Sequence, residues 1–392
     1  MDGKITPLRQ GYGGHVAAGL VALAIVAAAL FLHQAPVYGN VGTASLAILF
    51  GAGTGVALQR SRLCFTAAFR DLFLLRDRRA MLGVLTALAV GSAGYVLVFG
   101  ARLPDPSQYL PPGAHIAPAD WPTALGGLAF GLGMTLAGGC ISGQLYRLGE
   151  GSLVAPVAIA AMLPGYWIAY QMWDVAYLKG YADGPVVWLP RHLGYAGALA
   201  LQLGLLATAA GLLLWKCPAL PPKPAATDLR GALRRVFVQG WPSWAGGLLL
   251  GAVAVAAYLR TSPLSTTSEL NRISQKVAGV ELIGLKDMPG CRPSAVPAAL
   301  TPNALFVLAL IAGSAMAALA AGEFKWRGGR PRTFALAAGG GVLMGFGAML
   351  GLGCTIGTFL SGVMAFSLHG WLFAAALMAG AFLGVKILRW IA

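Results

Sequence analysis

About ten apolar segments of roughly twenty residues follow one another along this chain, and a helix of that length crosses a hydrocarbon core of ~30 Å. They lie near 16–33, 41–60, 81–101, 123–147, 152–172, 195–215, 242–260, 303–321, 334–360 and 370–390. Charged residues (DEKR) are only 10% of the 392, against roughly 25% in a soluble domain. No soluble surface can be made from so few charges. The expected fold class is therefore an all-α polytopic membrane protein with about nine or ten transmembrane helices. Glycine, 55 of 392 residues, shows no Gly-X-Y period, which excludes collagen. It suits helices that pack closely in lipid. Segment 16–33 follows Lys4 and Arg9, as a signal peptide would. It ends in His33-Gln34-Ala35-Pro36 without a small-x-small cleavage site, so a retained helix is expected.

The net charge is 28 − 13 = +15. The basic residues sit in short runs between apolar segments, a pattern that orients a membrane protein and does not point to nucleic acid. Arg60, Arg62, Arg70, Arg76, Arg78 and Arg79 fall between the second and third segments. Lys216, Lys223, Arg230, Arg234 and Arg235 lie in 216–240, and Lys325, Arg327, Arg330 and Arg332 in 323–333. The alternate loops are poor in Lys and Arg. The expected arrangement has these three loops and both termini in the cytoplasm. Trp121, Trp173, Trp188, Trp241 and Trp371 lie near segment ends and are expected in the interfacial belts.

The chain repeats itself. Residues 126–143, Gly-Gly-Leu-Ala-Phe-Gly-Leu-Gly-Met-Thr-Leu-Ala-Gly-Gly-Cys-Ile-Ser-Gly, align with 340–357 at a constant offset of 214. Eight of 18 positions are identical, and one of them is the cysteine pair Cys140 and Cys354. A weaker echo pairs Leu58-Gln59-Arg60-Ser61 with Tyr258-Leu259-Arg260-Thr261. Counting segments, the matched stretches cross in opposite senses. The expected organisation is an extra N-terminal helix (1–40), a first repeat (41–215), a Pro-rich cytoplasmic linker (216–240) and a second, inverted repeat (241–392). Transporters built this way carry their site near the midplane.

The five cysteines (64, 140, 217, 291 and 354) contain no CxxC pair. They predict neither a disulfide framework nor a metal site, and no cofactor is expected. Gly139-Cys140-Ile141-Ser142-Gly143 and Gly353-Cys354-Thr355-Ile356-Gly357 read as breaks in apolar helices. Helices restarting there would present free N–H groups and partial positive charge, which favours an anion. A thiol is a soft, weak donor and suits an ion ending in sulfur or selenium. Gly139, Ser142, Gly143, Gly353, Thr355 and Gly357 are the expected lining. Packing is the common role of cysteine in apolar helices; the repeat-related, glycine-flanked pair argues for more. Cys64 lies in an apolar-to-basic stretch that is expected to re-enter the membrane. The second repeat has Pro263-Leu264-Ser265-Thr266 there, without a thiol, so the site would be asymmetric. Cys291 would face outside, at a possible entrance, and Cys217 reads as incidental. Arg147 and Glu150, at i,i+3, read as a structural clamp.

At these motifs the sequence resembles the YeeE/YedE family of bacterial inner-membrane sulfur transporters. The carriers are Gln59-Arg60-Ser61-Arg62-Leu63-Cys64-Phe65-Thr66, Phe69-Arg70-Asp71, Leu136 to Gly143, Tyr146 to Gly151, Glu323-Phe324-Lys325, and Leu343 through Gly357. The resemblance implies an hourglass-shaped transporter, not an enzyme, that takes up thiosulfate. It implies that Cys64, Cys140 and Cys354 relay the ion through S–H···S hydrogen bonds. It also implies a small cytosolic sulfur-carrier protein as partner at the basic inner face. Helix 16–33 and Cys291 have no counterpart in it. Two other readings stay open: another sulfur or selenium anion, and a membrane sulfurtransferase carrying a persulfide. The second is weakened because no His, Asp or Glu adjoins Cys140 or Cys354 in sequence.

Overall fold

The computed structural model describes residues 12–33, 42–216, 240–260, 263–285 and 301–391. The helices are α1 (Tyr12–His33), α2 (Thr43–Ser61), α3 (Phe65–Leu75), α4 (Arg79–Arg102), α5 (Trp121–Leu136), α6 (Ile141–Gly149), α7 (Val154–Ala160), α8 (Met162–Ala176), α9 (Leu189–Lys216), α10 (Ser243–Arg260), α11 (Ser268–Ala278), α12 (Pro302–Ala320), α13 (Pro331–Leu350), α14 (Thr355–Met364) and α15 (Leu368–Ile391). The chain is an all-α polytopic membrane protein. Among the described residues, strand-like pairing is confined to two isolated bridges, Ser152 with Arg327 and Trp188 with Ser367.

Among the described residues, eight helical stretches are long and apolar enough to cross a membrane, two fewer than the apolar segments counted in the sequence. Segment 152–172 is divided into α7 and α8. Pro164 explains the break, because its ring opposes the carbonyl four residues back, at Ala160. The other is α2, whose last turns bury Gln59, Arg60 and Ser61 inside the protein. A helix surrounded by protein does not need an apolar surface. Trp173 and Trp188 are likewise buried inside the protein. Their indole N–H groups donate to the carbonyls of Ile283 (2.8 Å) and Ala365 (3.0 Å).

Glycines set the centre of the bundle. A Cβ on Gly133 would lie 2.6 Å from the carbonyl oxygen of Gly340, and one on Gly126 would lie 2.8 Å from that of Gly347. The repeat offset carries 126 to 340 and 133 to 347, so the two contacts exchange with each other. Their order reverses between the helices, so α5 and α13 run antiparallel, as an inverted repeat requires. The flanking contacts exchange too. Gly127 and Gly131 of α5 meet Phe373 and Leu377 of α15, while Gly341 and Gly345 of α13 meet Ala158 of α7 and Met162 of α8. The α2–α12 pair mirrors the α4–α10 pair. Lipid supplies no hydrophobic force between helices, so close backbone approach of this kind is what holds them. Helix α1 stands outside the repeat. It packs on α2 and α12 and leaves Leu20, Leu23, Leu30 and Phe31 exposed. Nearly all of the linker, 217–239, lies outside the described residues.

Candidate functional site

Cys64, Cys140 and Cys354 enter the fold by one local arrangement used three times. Each is the N-cap of a helix: Cys64 of α3, Cys140 of α6, Cys354 of α14, whose first seven residues are wound as a π-helix. Two residues before each thiol the backbone turns left-handed, at Arg62 (φ 54), Gly138 (φ 71) and Leu352 (φ 55). The preceding helix closes on that turn. Leu63 N–H donates to Leu58 O at 3.2 Å, and Gly353 N–H to Ala348 O at 2.8 Å, the six-to-one bond of a Schellman turn. Gly138 adopts the turn without penalty. Arg62 and Leu352 take it at a cost of ~1–2 kcal/mol each, a strain that persists only where the surroundings fix the backbone. The N-cap carbonyls first accept from Ala68, Gln144 and Thr358, four residues on. The amides between lie outside the helical ladders and form positive helix ends.

The thiols are free and buried. Cys64 Sγ lies 3.9 Å from Cys140 Sγ, and Cys140 Sγ lies 3.3 Å from Ser142 Oγ. Cys354 Sγ lies 3.3 Å from Thr266 Oγ1. Thr266 stands just before α11, which follows α10 as α3 follows α2. The second half thus offers a hydroxyl where the first offers the Cys64 thiol. The missing thiol is plain in the sequence; its replacement is signalled only by the run Ser265-Thr266-Thr267 before a polar helix. Three further buried hydroxyls at these helix starts, Thr66, Thr267 and Thr355, have no hydrogen-bond partner among the described residues.

The glycines expected to line the site divide by what they face. A Cβ on Gly143 would lie 2.7 Å from Cys64 Sγ and 3.5 Å from Cys140 Sγ, whereas one on Gly357 would meet only Leu264 O, at 3.9 Å. Gly139 faces the side chains of Gln144 and Arg147, and Gly353 those of Thr358 and His115. Cys291 lies outside the described residues, and Cys217 does too.

Both breaks are braced alike. Gln144 Nε2 donates to Ala137 O and Thr358 Oγ1 donates to Gly351 O, each at 2.8 Å. Donors and acceptors alike are 214 residues apart. Arg147 does not clamp Glu150. Its Nη1 donates to Gly138 O at 2.5 Å, because the left-handed turn leaves that carbonyl as an acceptor. Glu150 pairs instead with Arg62 Nη1 at 3.1 Å. Gln59 Nε2 reaches both Glu150 (3.3 Å) and Glu323 (2.7 Å), and Arg62 Nη2 reaches Glu323 at 3.0 Å. This network ties the end of α2 to the ends of α6 and α12. On the other side of the thiols, His115 Nε2 meets Thr358 Oγ1 at 3.1 Å. Its ring lies 5.8 Å from that of His369, whose two buried ring nitrogens have no partner among the described residues. Lone histidines gave no sequence signal for this pair.

Residues 60–383 match a family model described as sulphur transport. The chain is similar to the thiosulfate transporter TsuA of Escherichia coli (strain K12), 28% identical over 346 residues, covering 83% of this chain and 89% of that protein. It is 30% identical over 356 residues to the thiosulfate transporter TsuA of Spirochaeta thermophila, covering 83% of this chain and 93% of that one. A shorter match, 32% over 128 residues, links it to the probable transporter YedE of Escherichia coli, covering 31% of this chain and 30% of that protein.

Proposed function

The chain belongs to the sulphur-transport family of the YeeE/YedE type, and from that premise we propose that it takes up thiosulfate across a bacterial inner membrane. The observation that carries the reading is the thrice-used N-cap thiol, with Cys64 and Cys140 in contact and Cys354 on Thr266. Thiosulfate ends in a large polarisable sulfur, which accepts S–H donors. Its oxygens suit the helix-start amides and the hydroxyls of Thr66, Thr267 and Thr355, which have no partner among the described residues. Weak donors hold the ion without trapping it, as conduction requires. The ion passes from thiol to thiol through S–H···S hydrogen bonds, with Ser142 and Thr355 beside them.

In this reading residues 41–215 and 241–392 are two inverted halves joined by 216–240. Lys and Arg counts put both termini in the cytoplasm. The basic inner face, Arg62 to Arg79 with Arg60 buried behind it, receives a small cytosolic sulfur-carrier protein. The test is labelled thiosulfate uptake into proteoliposomes, with sulfite, sulfide and selenite as competitors. Thiosulfate competes best, and Cys140→Ala and Cys354→Ala abolish uptake. Full uptake by either variant refutes the relay; stronger competition by selenite reassigns the ion.

A further inference from the structure

Away from the thiols, a groove of about 750 Å³ opens between α3, α4, α9 and α15. Its walls are apolar, with Phe69, Leu88, Leu213, Phe359 and Met378 among them, and among the described residues its single charge is Arg76. Arg76 closes α3 in the left-handed conformation, φ 55, and its guanidinium has no partner among the described residues. Beside it, Arg78 Nη1 donates to Leu214 O at 2.8 Å, tying the start of α4 to the end of α9. Residues 76–79 hold three Arg against one Asp. A long apolar slot with a cation at one end is complementary to an amphiphile with an anionic head.

We propose that this groove seats one acyl chain of an anionic phospholipid, with its phosphate on Arg76. Basic pockets between transmembrane helices bind lipid head groups in this way. The back of the groove is shared with the candidate site. The Phe359 ring lies 5.7 Å from that of Phe65 and 6.4 Å from that of Phe69. Phe65 directly follows Cys64, and Phe359 belongs to the helix that starts at Cys354. A seated chain therefore lies against the seam between the helices that carry these two thiols.

The proposal does not depend on which anion is transported, and its test reads lipid directly. The full-length protein is purified from membranes containing phosphatidylglycerol and phosphatidylcholine, and retained lipid is counted by native mass spectrometry. One phosphatidylglycerol is expected per protein. Arg76→Gln, at an exposed helix end, lowers its retention about fivefold, and Ala209→Trp, which fills the slot from α9, removes it. Equal retention of phosphatidylcholine, or unchanged retention in Arg76→Gln, overturns the proposal. So does equal thermal protection of the delipidated protein by inorganic phosphate alone. Arg76→Gln keeps the test decisive if Ala209→Trp fails to fold.

Discussion

Gly143 and Gly357 occupy the same place in the repeat and should respond unequally to one added methyl group. Neither has a positive φ among the described backbone outliers, so alanine is conformationally allowed at both. At Gly143 the new Cβ would stand 2.7 Å from Cys64 Sγ, where ordinary contact is ~3.5–4.0 Å. The sulfur must move by about 1 Å, in a side chain 1% exposed and already 3.9 Å from Cys140 Sγ. Overpacking of this kind costs ~1–3 kcal/mol. Better helix propensity returns up to ~1 kcal/mol of stability but does nothing for the displaced thiol. If the cost falls on the transport barrier, uptake drops by roughly five- to 150-fold. At Gly357 the nearest atom is Leu264 O at 3.9 Å, an ordinary contact, so Gly357→Ala stays within about twofold of wild type by the same scale. The assay is initial-rate thiosulfate uptake in proteoliposomes, with thermal unfolding of the purified proteins confirming that both variants fold. Wild-type uptake by Gly143→Ala, or equal losses in the two variants, would refute the reasoning.

Substitutions at four other residues probe the remaining parts of the site. Thr266→Val removes the hydroxyl on Cys354 and should lower uptake about fivefold, since a hydrogen bond is worth ~1 kcal/mol; Thr266→Ser should restore most of it. Gln144→Ala leaves the Ala137 carbonyl without its side-chain donor and should lower stability by ~1–3 kcal/mol, and Thr358→Val should do the same at Gly351; an unchanged melting temperature in both would show that the breaks need no brace. Glu323→Ala takes the carboxylate from Arg62 and from buried Arg60. Its expected cost is about 2–3 kcal/mol, below the ~3–5 kcal/mol of a fully buried pair, because Glu323 is about a third exposed; chemical denaturation measures it.

What could be read in advance followed from how local each signal was. The offset of 214 linked Gly126 with Gly340 and Gly133 with Gly347 before any coordinates, and these are the residues on which α5 and α13 meet. Glycine next to cysteine in an apolar run likewise marked the Cys140 and Cys354 breaks. The third break gave less away, because Arg62 adopts a conformation that glycine usually signals. Thr266 was hidden because it replaces a thiol by a different chemical group. The Arg147–Glu150 pairing failed because helical spacing cannot see a free carbonyl created by a turn nine residues away. His115 and His369 are brought together across more than 250 residues, a distance at which composition and period carry no information. Among the described residues eight stretches, not ten, have the length and hydropathy of a span, because Pro164 parts α7 from α8 and the end of α2 carries Gln59 and Arg60 into the protein.

Where α5 crosses α13, main chain rests on main chain at two levels, seven residues apart along each helix, which is about two turns. No rotamer stands between them to switch, and a slip by one turn would drive bulkier neighbours into the space that only hydrogen atoms fill. The midline of the molecule is thus an axle with a single setting. Any movement that admits and releases an ion is left to the short arms around it, α3, α6, α11 and α14, whose starting residues bear the thiols and hydroxyls.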